Sequence, residues 1–204
     1  MSLTPTAQRN LSNSLAGKNP EQALTVARAI EEPWFRCQAL SQVARYWPDD
    51  GFQPLLREAT EAAERQENWY KRVSVSAWPA RAYLERGSRS PARNLLEEYT
   101  SGASNIENMG GRSEALLMLF QAARPFDSAL WEPVFWGLIT ATEPSISWRQ
   151  LRNVRQAASM VAAENPGLVR TAINRLSNDK FVLAVTRDLE NHRFAEPRPF
   201  FWLG

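Results

Sequence analysis

Apolar residues recur at three- and four-residue intervals along most of the chain, which is the period of an amphipathic helix. In residues 20–32, for example, Ala23, Leu24, Ala27 and Ile30 fall on one helical face. No Asn-Gly or Asp-Gly pair stands between two runs of alternating apolar residues, the usual mark of a β-hairpin. The pattern therefore predicts an all-α protein.

Helix start and stop signals divide this pattern into pairs of helices. Asn19 is a candidate N-cap with Pro20 in the first turn, Pro48 stops the second helix, and Gly87 ends the fourth. Asp49 and Asp50 supply negative charge before the third helix. The predicted pairs are 20–32 with 33–47, 53–68 with 69–86, 90–101 with 111–123, 128–142 with 147–164, and 167–177 with 180–191.

The second helices of these pairs share a motif, in which an arginine stands three residues before a small apolar residue. The motif recurs at intervals of 36 to 43 residues, within the range of helical repeats. Its members are Arg36, Arg72, Arg112 and Arg155, followed by Ala39, Val75, Ala115 and Ala158.

This pattern resembles HEAT-like and TPR-like α-solenoid repeats, although the full tetratricopeptide consensus is missing and the HEAT pattern is irregular. The resemblance implies a right-handed α-α superhelix of about five antiparallel hairpins. We expect a single repeat domain over 1–204, with an N-terminal capping segment at 1–19 and a Pro/aromatic tail at 192–204. An irregular helical bundle is the alternative.

Charge and composition narrow the function classes. The net charge of +2 is small for 204 residues, and acidic and basic residues are interspersed, which argues against a general nucleic-acid binder. No window has the ~18 to 20 consecutive apolar residues of a membrane span, and no secretory signal is recognisable. Together with a single cysteine, this predicts a soluble cytoplasmic protein without membrane contact.

Catalytic chemistry has few candidate residues. His192 is the one histidine, and we expect it to be solvated near the end of the last helix. Cys37 falls on an apolar helix face, where a buried thiol is the usual outcome. Gly110 and Gly111 precede a helix and resemble a hinge or a weak anion site. We therefore predict no catalytic residue, no cofactor and no metal.

Arginine and tryptophan are the remaining candidates for a binding surface. They either pack between neighbouring hairpins or, as a ladder of arginines along an inner groove, hold an acidic partner. The candidate binding residues are Trp34, Arg36, Trp69, Arg72, Arg112, Trp131, Trp148, Arg152 and Arg155.

The leading hypothesis is a non-enzymatic scaffold whose concave arginine and aromatic surface binds a protein or peptide, such as an assembly factor or a toxin-neutralising protein. The alternative is a nucleic-acid repair protein, because some alkylpurine DNA glycosylases consist of HEAT-like repeats. That resemblance would place Asp127 and Trp131 at a damaged nucleotide, with Trp148 and Arg152 as a second wall. The tail is expected to cap the last hairpin or, alternatively, to form a homodimer.

Overall fold

The computed structural model describes residues 3–48, 51–143, 147–193, 200 and 202, and all regular structure within these ranges is helical. Asp49 and Asp50 lie outside the described residues. A 3-10 turn at Ala103–Asn105 follows α6. The α-helices are α1 (Pro5–Ala16), α2 (Pro20–Arg28), α3 (Pro33–Tyr46), α4 (Phe52–Glu64), α5 (Trp69–Glu85), α6 (Arg89–Gly102), α7 (Met109–Ala123), α8 (Ser128–Thr142), α9 (Trp148–Ala162), α10 (Pro166–Ile173) and α11 (Asp179–Glu190).

Asparagine side chains begin many of these helices. In each case the side-chain oxygen accepts a hydrogen bond from the backbone N–H three residues later, which satisfies one of the free donors of the first turn. The predicted cap at Asn19 and the proline in the first turn of α2 are confirmed. The capping asparagines are Asn19, Asn68, Asn108, Asn165 and Asn178.

The segment predicted as an N-terminal cap contains a helix of 12 residues, α1, which packs on α2 and α3. Its buried residues are Ser12, Asn13 and Ala16 rather than large apolar side chains. The Ser12 hydroxyl donates to the Ala23 carbonyl at 2.9 Å, so polar contacts join α1 to α2. A small and polar buried face gives no apolar period, which is why the sequence pattern does not reveal this helix.

The way in which consecutive helices pair also differs from the prediction. Neighbouring helices pack most extensively as α1 with α2, α3 with α4, α5 with α6, α7 with α8, and α9 with α10. The predicted pairs begin with α2 and α3, one helix later. Since α1 is missing from the prediction, every later hairpin is shifted by one helix.

The odd-numbered helices form a second set of contacts, in which α1, α3, α5, α7, α9 and α11 each pack on the next. Hydrogen bonds cross this row between positions one repeat apart. The Cys37 thiol donates to the Val75 carbonyl, 38 residues away, and the Asn153 amide donates to the Ser113 hydroxyl, 40 residues away. These separations agree with the predicted period and are compatible with a helical repeat.

The two described tail residues, Phe200 and Trp202, lie against α3 and α5 in the middle of the chain. The sequence predicts a cap on the last hairpin, α10 and α11, instead. Across the described residues, no helix combines the length and apolarity that crossing a bilayer requires.

Candidate functional site

Arg72 and Arg112, two of the four repeated arginines, are bonded to the loops that precede their helices. The Arg72 Nε donates to the Gln66 carbonyl at 2.9 Å, and the Arg112 Nε donates to the Ile106 carbonyl at 3.0 Å. A terminal nitrogen of Arg112 also donates to the Ser104 carbonyl at 2.8 Å. Both side chains therefore fasten a connection to the helix that follows it.

The other two repeated arginines have acidic partners on different helices. Arg36 lies 3.6 Å from Glu58 of α4, and its Nε is buried without a hydrogen-bond partner. Arg155 lies 2.6 Å from Asp188 of α11. The four arginines of the motif are thus each occupied by a separate structural contact, and they do not form a row of unpaired guanidinium groups.

Three of the predicted tryptophans are packing residues. Trp34 lies edge-on to Trp78, with ring centroids 6.2 Å apart, and is partly buried. Trp69 is also partly buried and covers Gly102, where a Cβ atom would lie 2.6 Å from the indole ring. Trp131 is buried against Phe120, with the two rings perpendicular.

Asp127 and Trp131 do not form a surface of the kind that a nucleotide requires. Asp127 caps α8 by accepting from the Ala129 N–H at 3.0 Å, and its carboxylate lies 3.5 Å from Arg89. Because Trp131 is only 3% exposed, its ring cannot stack on an extruded base without unfolding part of the core.

Trp148 has a different environment from these three, since its side chain is 66% exposed. It begins α9, where Ser147 and Gln150 form a reciprocal capping box that fixes the direction of the first turn. The guanidinium carbons of Arg149 and Arg152 lie 5.5 and 5.4 Å from the centroid of the Trp148 ring. Trp148 and Arg152 of the predicted set are therefore brought together, with Arg149 beside them.

Arg149 and Arg152 also line an open cleft of about 300 Å³ between the N-terminal ends of α5, α7 and α9. The N-terminus of α7 reaches this cleft, and the Gly111 N–H donates to the Asn108 side chain there at 2.8 Å. A Cβ at position 111 would lie 3.3 Å from the ring of Tyr70, so glycine permits this close approach. The lining residues are Tyr70, Ile106, Asn108, Gly110, Gly111, Glu114, Arg149, Arg152 and Asn153.

The electrostatics of the cleft favour a negatively charged ligand. Within the described part of the chain, neither Arg149 nor Arg152 has an ion pair. Both lie in the first two turns of α9, where the helix dipole is positive and basic side chains are disfavoured, and neither α7 nor α9 has an acidic residue in its first turn. The arrangement leaves an uncompensated positive potential that an anionic group would neutralise.

Glu114 and Tyr70 add polar character to the cleft. Burial, and then the nearby negative charge of Glu114, raise the pKa of Tyr70, so its hydroxyl remains neutral and able to donate a hydrogen bond. Glu114 partly offsets the two arginines. The cleft therefore combines one indole face, two guanidinium groups and a phenol.

Sequence reasoning missed several of these cleft residues. Tyr70 directly follows the predicted Trp69, and Arg149 directly follows the predicted Trp148. Asn153 was missed as well; its amide donates to the Ser113 hydroxyl at 2.9 Å and ties α9 to α7. The usable signal was the local sequence Trp-Arg-x-x-Arg at a helix start, where positive charge conflicts with the dipole.

Residues capable of catalysis are not assembled in this region. Cys37 is fully buried, as predicted, and burial raises the pKa of its thiol. His192 is exposed just beyond α11. Among the described residues, no group of three or more His, Cys, Asp and Glu side chains is arranged to hold a metal ion.

No protein-family model matches this sequence, and no match was found among curated proteins or solved structures. The assignment of a function therefore depends on the geometry of the cleft.

Proposed function

We propose that the chain is a non-enzymatic α-solenoid scaffold that binds an acidic segment of a protein or peptide at the cleft formed around Trp148, Arg149 and Arg152. One observation carries this proposal: a tryptophan that is 66% exposed lies between two guanidinium groups without an ion pair in the described residues. Exposed tryptophan and arginine are the residue types most enriched at binding hot spots.

The mode of binding follows from the chemistry of these side chains. A carboxylate of the partner accepts hydrogen bonds from the Arg149 or Arg152 guanidinium, which can engage both of its oxygens. An apolar or planar group beside it covers the Trp148 ring. Because α7 and α9 are held together by packing and by Asn153, the site is preformed and little conformational entropy is lost on binding.

The solenoid part of the proposal is supported by the regular separations between bonded residues of the odd-numbered helices. The Arg124 guanidinium donates to the Met160 carbonyl, 36 residues away, and that of Arg81 donates to the Ala122 carbonyl, 41 residues away. Stacked hairpins of near-constant length produce such separations. Burial of Trp131 leaves the nucleic-acid alternative without a specific observation in its favour, so we propose no second function.

Selection from a random peptide library tests this function for any partner sequence. We expect the selected peptides to be rich in Asp and Glu and to bind the Trp148→Ala variant at least about tenfold more weakly. Arg170→Ala is a matched control, because Arg170 is an exposed arginine on α10 without an ion pair in the described residues. Peptides without acidic residues, or equal binding to all three proteins, would contradict the proposal.

A further inference from the structure

Phe200 and Trp202 occupy a second surface, on α3 and α5, with the contacts of a bound peptide. The Phe200 ring lies edge-on to Trp78 at 5.3 Å and to Trp202 at 5.0 Å. The Trp202 indole N–H donates to the Glu85 carboxylate at 2.9 Å, and the Arg45 guanidinium lies 4.0 Å from the Trp202 ring. Each of the two tail rings thus has several partners on the receiving surface.

The receiving surface is organised by contacts of its own. The Glu85 carboxylate accepts hydrogen bonds from Arg45 of α3 and from Arg81 of α5, the latter at 2.6 Å. This Arg–Glu–Arg network does not involve the tail, and it fixes the positions of the acceptor and of the cation. Trp78, with 5% exposure when Phe200 is in place, provides the apolar floor.

This surface has the anatomy of a binding hot spot. A large aromatic ring lies at the centre and is shielded by the incoming side chain, while charged groups that are bonded to one another surround it. The complementary ligand is a segment with two aromatic side chains two positions apart, the second of which must donate a hydrogen bond. Phe200 and Trp202 meet that description.

We propose that Arg45, Trp78, Arg81 and Glu85 form a binding site for an aromatic segment, which Phe200 and Trp202 fill in cis and which the same segment of a second copy fills in trans. The second copy is the occupant because its segment has the complementarity that the cis contacts display. Exchange of identical elements between copies is a low-cost route to association. The cis segment acts as a competitor, since tethering gives it a high effective concentration.

The first test uses the full chain and a fluorescent peptide of residues 196–204. In the Trp202→Ala variant the competitor is weakened by loss of the indole hydrogen bond, the edge-on contact and the cation–π contact, so the peptide should bind at least about tenfold more tightly than to wild type. Adding Arg45→Gln and Glu85→Gln to this variant should reverse the gain. Adding Trp148→Ala is the control, and it should leave peptide binding unchanged because that side chain belongs to the other surface.

The second test mixes two full-length variants. The Arg45→Gln/Glu85→Gln variant retains the aromatic segment but has a defective site, whereas the Trp202→Ala variant retains the site but has a defective segment. We expect each variant alone to be monomeric and their mixture to form heterodimers, measured by analytical ultracentrifugation. Thermal melts by circular dichroism establish that each variant is folded.

Two results would overturn the proposal. If folded Trp202→Ala binds the peptide no better than wild type does, the surface is a packing contact and not an exchangeable site. If the peptide binds but the mixed variants stay monomeric, the second copy is not the occupant. Neither result affects the acidic-peptide cleft, because Trp148 and its arginines are absent from both readouts.

Discussion

Arg72 and Arg112 stand 40 residues apart and make the same contact. Each Nε donates to the backbone carbonyl six residues earlier, in the loop that leads into its own helix. Each also follows an asparagine N-cap by four residues. The cap and the arginine together bond both sides of the loop, which explains why this pair of residues recurs with the repeat.

We predict that Arg112→Ala lowers the free energy of unfolding by about 2–3 kcal/mol, because hydrogen bonds from a charged group to the Ile106 and Ser104 carbonyls are lost. Urea denaturation measures this change. Arg155→Ala is the comparison: its side chain is 52% exposed and its ion pair with Asp188 is accessible to solvent, so the expected loss is below about 1 kcal/mol. Equal losses in the two variants would mean that the loop contact adds no stability.

A second prediction concerns the contact between Trp69 and Gly102. A Cβ at position 102 would lie 2.6 Å from the rigid indole ring, so Gly102→Ala requires Trp69 to move. We expect a loss of about 1–3 kcal/mol, although alanine is the better helix former. Gly167→Ala, whose new Cβ would meet the Asn165 side chain at an ordinary 3.6 Å, should cause no comparable loss in the same urea experiment. A stabilised Gly102→Ala variant would show that the ring has room to move.

Much of the secondary structure could be predicted from the sequence because its signals are local. An asparagine cap, a proline in the first turn and an apolar period all act within one helix, as at Asn19 and Pro20. The missed helix α1 had a readable start, since Thr4 caps it and Pro5 opens it. What it lacked was a large apolar face, and without α1 the pairing of every later helix was assigned incorrectly.

The functional residues were less predictable, because their roles depend on partners that are distant in the sequence. Whether an arginine is free or occupied is decided by groups such as Glu58 for Arg36 or Asp188 for Arg155, 22 and 33 residues away. Trp202 bonds Glu85 across 117 residues. No local pattern distinguishes Trp148, which is exposed, from Trp131, which is buried.

The pH dependence of stability provides a third prediction, at Glu85. Burial raises the pKa of Glu85, but hydrogen bonds from Arg81, Trp202 and Arg45 outweigh burial, and the pKa in the folded protein is lowered. A lowered folded-state pKa means that the ionised carboxylate stabilises the fold above the unfolded-state pKa of about 4.3, and that this contribution is lost as the pH falls through the folded-state value.

Wild type should therefore be more stable than Glu85→Gln at neutral pH, and the difference should shrink as the pH falls below about 4. Denaturation curves at a series of pH values measure the difference directly, because the other carboxyl groups titrate in both proteins. A difference that stays constant down to acid pH would show that the Glu85 charge is not responsible.

The most direct test of the proposed function is calorimetric titration of a library-selected acidic peptide into wild type and into the Arg149→Glu/Arg152→Glu variant. Both arginines are exposed and unpaired within the described residues, so the variant should retain the wild-type melting temperature within a few degrees. We predict that the variant loses at least about a hundredfold in affinity, because two attractive charges become repulsive. Unchanged affinity in the folded variant would contradict the assignment of this cleft as the binding site.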